Sequence, residues 1–196
     1  MTSVRLARSV DRGPVIATVA AAFARDPAWS FLCGDDYERL APQFAGALFD
    51  TRVGSGHVWV TDDLASVAMW DPPGKTPSSQ SERLWQAYRA VAGEAAWQRL
   101  SEYEGAIDKV RPNTTYWYLG VLATRPDRHG QGLASAVMAP ILGRADTDGL
   151  ACCLETSTAR NRRFYGRRGF SEVTDIHVAS GPPTWWLRRP PPPPTS

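Results

Sequence analysis

The chain has few cysteines and histidines, and its charges almost cancel. Three cysteines and three histidines occur in 196 residues, with no C-x-x-C or H-x-x-x-H pair, so neither a zinc site nor a disulfide framework is predicted. Lys and Arg number 22 against 20 Asp and Glu, a net charge of +2. Such a balance argues against a strongly basic nucleic-acid binder. We therefore expect no metal and no nucleic acid as partner.

Long apolar runs are also missing. No stretch approaches the roughly 18 apolar residues of a membrane span, and residues 1–12 lack the apolar segment of a secretory signal. We expect a cytoplasmic protein that does not bind membranes. The hydrophobic content of 43% and the charged content of 21% are ordinary for a globular domain.

The hydrophobic pattern predicts a mixed α/β domain. Two β-rich runs, 57–61 and 66–70, flank Asp62-Asp63 and predict an antiparallel hairpin. The run Tyr116–Thr124 is almost entirely apolar, as is typical of a strand covered on both faces. Asp26-Pro27 is predicted to end the first helix. Further strands are predicted at 4–6, 150–154, 170–178 and 184–187, and helices at 15–23, 37–49, 81–109 (interrupted near Gly93), 133–142 and 161–168.

Residues 190–196 differ in composition from the rest. Five prolines follow Arg188-Arg189, and Thr195 and Ser196 follow them. Such a segment forms a solvated polyproline II tail at most. We predict one domain over residues 1–189 and a disordered proline-rich tail over 190–196, with docking of the tail to a proline-recognising partner as the alternative.

A glycine-rich turn follows the strand Tyr116–Thr124. Gly130-Gln131-Gly132 precedes an apolar helical pattern that starts at Leu133. Free backbone N–H groups and the positive end of the helix dipole at such a turn attract anions. The turn matches neither G-x-x-x-x-G-K-[ST] nor G-x-G-x-x-G, which disfavours P-loop and dinucleotide sites. A plain strand-to-helix turn is the alternative.

The residues around this turn resemble a known family. The stretch YLGVLATRPDRHGQGLASAVM resembles motif A of the GNAT acetyltransferase superfamily, and LETSTARNRRFYGRRGF resembles the family's second signature. WDPPG at 70–74 and YWYL at 116–119 resemble the branch of puromycin N-acetyltransferase. The resemblance implies the α/β class: a single GNAT-like domain with a mixed central sheet of six or seven strands, splayed at the cofactor site and flanked by helices.

The resemblance also implies acetyl-CoA as the donor and assigns its contacts. The pantetheine arm would pair with the backbone of Leu122, Ala123 and Thr124 as an extra strand does. Asn161 would bind pantetheine or cap the next helix. One or two of the five arginines at 160–168 would meet the adenosine 3′-phosphate. The pyrophosphate would be held by the loop residues His129, Gly130, Gln131, Gly132, Leu133 and Ala134.

His129 departs from the family pattern, which has Arg or Gln at this position of the loop. It either donates a hydrogen bond to the pyrophosphate or faces solvent, and neighbouring Arg128 could supply charge from another direction. Because the backbone N–H groups of the loop would still bind the pyrophosphate, we expect weaker cofactor binding rather than none.

Tyr165 and Glu155 are the predicted catalytic residues. The resemblance implies that a tyrosine at this point of the motif protonates the departing CoA thiolate, and packing under the helix is the alternative. An ammonium must lose a proton before it attacks. Glu155 is the first candidate for that base, ahead of Asp71 and Glu104, unless it is a structural partner. No Ser or Cys has a nucleophile-elbow context, so direct transfer is expected.

These expectations together describe an N-acetyltransferase. Its acceptor would be an amine of a small molecule, an antibiotic or a biosynthetic intermediate, and the protein a monomer or homodimer. Two alternatives are an acyltransferase whose donor is a carrier protein's phosphopantetheine arm, which His129 slightly favours, and a non-catalytic acyl-CoA-binding module. The predicted acceptor pocket consists of Trp29, Phe31, Trp70, Trp85 and Tyr116.

Overall fold

Seven strands form one mixed sheet in the order β1-β2-β3-β4-β5-β7-β6. The computed structural model describes residues 2–76 and 78–193. The strands are β1 (Val4–Leu6), β2 (Val58–Thr61), β3 (Ser66–Asp71), β4 (Tyr116–Thr124), β5 (Ala151–Thr156), β6 (Glu172–Ile176) and β7 (Thr184–Arg189). The helices are α1 (Arg12–Phe23), α2 (Pro27–Cys33), α3 (Tyr37–Asp50), α4 (Ser79–Ala92), α5 (Glu94–Asp108), α6 (Leu133–Thr147) and α7 (Ala159–Gly166).

The predicted architecture is confirmed: one α/β domain whose open mixed sheet is flanked by helices. The hairpin β2–β3 pairs antiparallel, with Trp59 opposite Ala68. β3 continues antiparallel to β4, and β4 runs parallel to β5. The helical region 81–109 is divided at Gly93, whose φ of +82° suits glycine.

Helix α2 was not predicted, because Asp26-Pro27 was read only as a helix end. The Asp26 carboxylate accepts hydrogen bonds from the backbone N–H of Ala28 at 2.9 Å and of Trp29 at 3.2 Å. Pro27 occupies the first turn, where its missing N–H costs nothing. The same two residues therefore end α1 and begin α2, which brings Trp29 into the core.

Strand β4 contains a β-bulge at Gly120. Met69 of β3 pairs with Val121, and Trp70 pairs with Leu119, so Gly120 is an extra residue on β4. The bulge shifts the alternation of side chains along the strand. Trp117 and Leu119 pack in the cluster under α6, whereas Val121 and Ala123 pack in the cluster on the other face.

The prediction that β4 is covered on both faces was wrong in part. Its residues alternate between buried and half-buried from Tyr116 to Thr124. The half-buried tyrosines Tyr116 and Tyr118 border a cavity rather than a packed layer. Local composition did not reveal this, because tyrosine is equally suited to a core and to the wall of a cleft.

β4 and β5 diverge after a short parallel contact. Their pairing runs from Tyr116 opposite Ala151 to Tyr118 opposite Cys153, and both strands then continue without pairing to each other. The predicted splay is confirmed. It leaves one backbone edge of β4 open from residue 119 onward, while the other edge is paired to β3.

The predicted proline-rich tail begins directly after β7. Residues 190–193 follow β7 outside any helix or strand, and residues 194–196 of the predicted tail lie outside the described residues. Among the described helices, none has the length and apolar character needed to cross a membrane.

Candidate active site

The glycine turn forms an open backbone cradle before α6. Gly130 and Gly132 have φ of +78° and +77°, a left-handed conformation that other residues adopt at a cost. Gly132 is the N-cap of α6, and no side chain caps the helix there. A Cβ added at either glycine would meet nothing within 4 Å. The space beside both glycines is therefore open, and the first N–H groups of an α-helix have no acceptor within the helix, which is the combination that an anion site requires.

His129 is exposed, and its ring also ties the turn to the end of β4. Nε2 donates a hydrogen bond to the backbone carbonyl of Thr124 at 3.0 Å. Arg128 pairs with Asp63 at 2.6 Å and donates to the side chain of Gln131 at 3.0 Å. These side chains thus brace the turn from outside, and the donors left for a phosphate are the main-chain amides.

Leu122, Ala123 and Thr124 lie on the part of β4 beyond its contact with β5. Leu122 and Thr124 are half-buried, and the Ala123 carbonyl accepts a hydrogen bond from Ser66 on β3 at 2.9 Å. The segment is thereby held from the β3 side. Its other edge is available for an extended ligand, as the resemblance implies.

Asn161 does not cap α7. Thr158 is the N-cap, and its hydroxyl accepts a hydrogen bond from the backbone N–H of Asn161 at 3.1 Å. One of the two predicted roles of Asn161 is therefore wrong, because Thr158 precedes it at the position where a hydroxyl can reach that N–H. The half-buried amide of Asn161 remains a candidate for pantetheine binding.

The five arginines near α7 have different surroundings. Arg168 donates to the Phe164 carbonyl at 2.7 Å and to Ser135 of α6 at 3.1 Å, so it joins two helices. Arg162 lies over the ring of Trp185 at 4.6 Å. Arg160, Arg163 and Arg167 are exposed and remain the candidates for the 3′-phosphate.

Tyr165 lies on α7 with 7% of its surface exposed. Its ring contacts Phe164 and Phe170, with centroid distances of 5.2 and 5.6 Å. Burial, and then the negative charges of Glu155 and Asp26, raise the pKa of its hydroxyl. The phenol is therefore protonated at physiological pH, which an acid catalyst requires, and its packing contacts position the ring.

Glu155 lies on β5 where β5 leaves β4. The Tyr118 hydroxyl donates a hydrogen bond to its Oε2 at 2.5 Å. Although the side chain keeps some solvent contact, the surrounding protein excludes most water and raises the pKa of Glu155 to about 7, against a smaller lowering by the Tyr118 bond. A carboxylate with such a pKa can accept and release protons near neutral pH.

Tyr118 is a candidate site residue that sequence reasoning missed. Its ring stacks on Trp186 with 12° between the planes, and the guanidinium of Arg111 lies 5.4 Å from the ring centroid. Alternation along β4 was the available signal, because it places Tyr116 and Tyr118 on one face. Glu155 is 37 residues away, and the bond depends on parallel pairing that local sequence does not show.

A cavity of about 850 Å³ opens beside Glu155. We call this cavity the acceptor cleft. Of the predicted pocket residues, Trp29, Trp85 and Tyr116 line it. The prediction for Trp70 was wrong, because this side chain points to the opposite face of the sheet, into the cluster under α6. The prediction for Phe31 was also wrong, since this residue does not line the cavity and lies near Gly181.

The two weaker base candidates also line the acceptor cleft, each in an ion pair. Asp71 contacts Arg52 at 2.7 Å and Lys75 at shorter range. Glu104 contacts Arg111 at 3.2 Å. In each of them a cation already occupies a carboxylate oxygen that a substrate ammonium would need. Among the described residues, Glu155 makes no ion pair, which favours it as the base.

The sequence is similar to those of known acetyltransferases. Residues 99–170 match the model of the Acetyltransferase (GNAT) family. An uncharacterised N-acetyltransferase of Schizosaccharomyces pombe is 24% identical over 83% of this chain and 71% of its own length. These matches support the GNAT acetyltransferase family.

Solved structures show the GNAT fold over the whole chain. One, described as histone acetyltransferase HPA2 and related acetyltransferase from Corynebacterium glutamicum, has a TM-score of 0.68, with 23% identity and full coverage of both chains. The Drosophila melanogaster polyamine N-acetyltransferase has a TM-score of 0.63, with 14% identity over 96% of this chain and 99% of that one. The puromycin-like branch stays a prediction.

Proposed function

We propose that this GNAT-type protein transfers an acetyl group from acetyl-CoA to an amine of a small molecule. The observation that carries the proposal is Glu155, with a pKa of about 7, where the acceptor cleft meets the gap between β4 and β5. The polyamine acetyltransferase of similar fold is named for a small amine. A role in antibiotic resistance or biosynthesis rests only on the puromycin-like motifs.

The residues suit direct transfer. Glu155 accepts a proton from the ammonium, and the neutral amine attacks the thioester carbonyl. The new C–N bond forms as the C–S bond breaks, and Tyr165 gives its phenolic proton to the departing thiolate. The amides at 130–134 and the open edge at 122–124 would bind the diphosphate and the pantetheine arm.

The backbone cradle favours free acyl-CoA over a carrier protein as the donor. A carrier-bound pantetheine arm has no diphosphate to occupy the amides before α6. His129, which stands where the family has Arg or Gln, uses its ring to bind the Thr124 carbonyl, so the proposed diphosphate contacts are main-chain amides and do not require an Arg or Gln side chain.

Glu155→Gln tests the base. In a thiol-release assay with acetyl-CoA and a panel of small amines, we expect kcat/KM to fall at least about a hundredfold, within the range attributed to general bases. Acetyl-CoA affinity, measured by calorimetry, should stay unchanged. Glu38→Gln, on the exposed side of α3, is the matched control. Binding of acetyl-CoA without thiol release for any amine would instead favour the non-catalytic module.

A further inference from the structure

The acceptor cleft combines an aromatic wall with a group of charges. Helices α2 to α5 contribute the wall, in which Trp29, Phe44, Trp85 and Trp97 border the cavity. Trp29 and Phe44 contact each other edge to face at 5.0 Å, and Phe44 and Trp85 lie 6.0 Å apart. Trp29, Phe44 and Trp85 thus form a continuous row of rings. Trp97, which has Arg89 over its ring at 5.4 Å, adds a further aromatic surface.

The charges of the cleft are almost entirely paired. Arg52 and Lys75 together neutralise Asp71, and Arg111 neutralises Glu104. Arg52 also donates to the Leu48 carbonyl at 3.1 Å and has 8% of its side chain exposed, so it is committed to this position. Glu82, the remaining lining carboxylate besides Glu155, is exposed on α4.

Glu155 is thus the one enclosed carboxylate of the lining that no cation contacts, within residues 2–76 and 78–193. One ammonium placed there is compensated. A second ammonium on the same ligand would meet Asp71 or Glu104 only by competing with their cations, and Glu82 is exposed, so solvent screens its charge. Separating the buried pair of Arg52 and Asp71 would leave a charge uncompensated, which is costly, whereas the pair of Arg111 and Glu104 is more exposed and contributes less.

We propose that the acceptor is a primary monoamine on an aromatic body, with its ammonium at Glu155 and its rings against Trp85 and Trp97. The proposal rests on the acetyl transfer proposed above. Both tryptophans are half-buried, so they keep surface for a ligand. The volume of about 850 Å³ is within the range of drug-sized sites, larger than a short alkylamine needs.

The first test compares amines with the wild-type protein. We measure kcat/KM by thiol release for 2-phenylethylamine and tryptamine, for n-butylamine, and for the dications putrescine and agmatine. We expect the two aryl monoamines to exceed the other three at least about tenfold. Preference for a dication or for n-butylamine would overturn the inference while upholding acetyl transfer. Absence of transfer to every amine, with acetyl-CoA still bound, would overturn the proposed function itself.

The second test asks whether the aromatic wall contacts the aryl group of the substrate. Trp85→Ala should lower kcat/KM for tryptamine about tenfold and for n-butylamine less than about twofold, because only the aryl body reaches that side chain. Trp59→Ala is the matched control, since this half-buried tryptophan packs in the cluster under α6. It should leave the ratio of the two substrates unchanged. An equal loss for both substrates in Trp85→Ala would show a merely structural role and contradict the proposal.

Discussion

At the scale of single residues, opposing contacts set the pKa of Glu155, the proposed base. Burial raises its pKa and the Tyr118 hydroxyl lowers it, and the value of about 7 is the balance of the two. Glu104 also raises it, Arg111 lowers it, and Tyr165 and Trp186 lie on the neighbouring elements. The pKa of Glu155 is thus set by burial and by groups of α5, of the segment that follows α5, and of β4.

Tyr118→Phe should move the acid limb of the rate profile to higher pH. Only the ionised Glu155 accepts a proton, so kcat/KM rises with pH through the pKa of this group. Loss of a hydrogen bond to the ionised form raises that pKa further, by about one unit for a bond to a charged group. The measurement is kcat/KM against pH.

Tyr116→Phe provides the comparison for this shift. Tyr116 lies on the same face of β4 and also lines the cleft, but its hydroxyl makes no hydrogen bond within the described part of the chain. Its profile should keep the wild-type midpoint. Equal midpoints for Tyr118→Phe and wild type would show that the Tyr118 bond does not tune Glu155.

At the scale of elements, a substitution in the turn before α6 should affect stability and acetyl-CoA affinity for different reasons. Gly132→Ala places a Cβ in open space, but at a φ of +77°. We expect a loss of about 1–2 kcal/mol in the free energy of unfolding from this strain. Acetyl-CoA should bind at least about tenfold more weakly, because the methyl group projects where the diphosphate is proposed to lie. Urea denaturation and calorimetry measure the two effects.

Gly143→Ala within the same helix is the matched variant. An added Cβ there also meets nothing within 4 Å, and its φ is not positive. The substitution should stabilise α6 by about 0.5–1 kcal/mol through better helix propensity, with unchanged affinity for acetyl-CoA. If Gly132→Ala retains full affinity, the turn is not the diphosphate site.

At the scale of the whole molecule, donor binding should stabilise the fold. Acetyl-CoA at about a hundred times its Kd would add about 2.7 kcal/mol to the free energy of unfolding. For a chain of this size, that corresponds to a rise in Tm of about 5–10 °C. Thermal unfolding with and without acetyl-CoA measures it, and dephospho-CoA should give a smaller rise if Arg160, Arg163 or Arg167 holds the 3′-phosphate. No rise at millimolar acetyl-CoA would argue for a carrier-bound donor.

Local patterns predicted much of this molecule and failed where distant segments meet. The hairpin 57–70, the break at Gly93 and the turn at 130–132 have signals within a few residues, and the structure contains all three. The insertion of β7 between β5 and β6 has no such signal. The directions of Trp70 and Tyr118 likewise depend on sheet faces and on the Gly120 bulge, which only the assembled sheet defines.

The bulge divides β4 into two parts with different surroundings. Before Gly120 the tyrosines of β4 line the acceptor cleft, and after it β4 has the unpaired backbone edge that we propose binds the pantetheine arm. Under the proposed function, new side chains at 116 and 118 should change the preference among amines and leave the affinity for acetyl-CoA unchanged. Gly120 itself has no such latitude, since a Cβ there would lie 3.0 Å from Nη2 of Arg52.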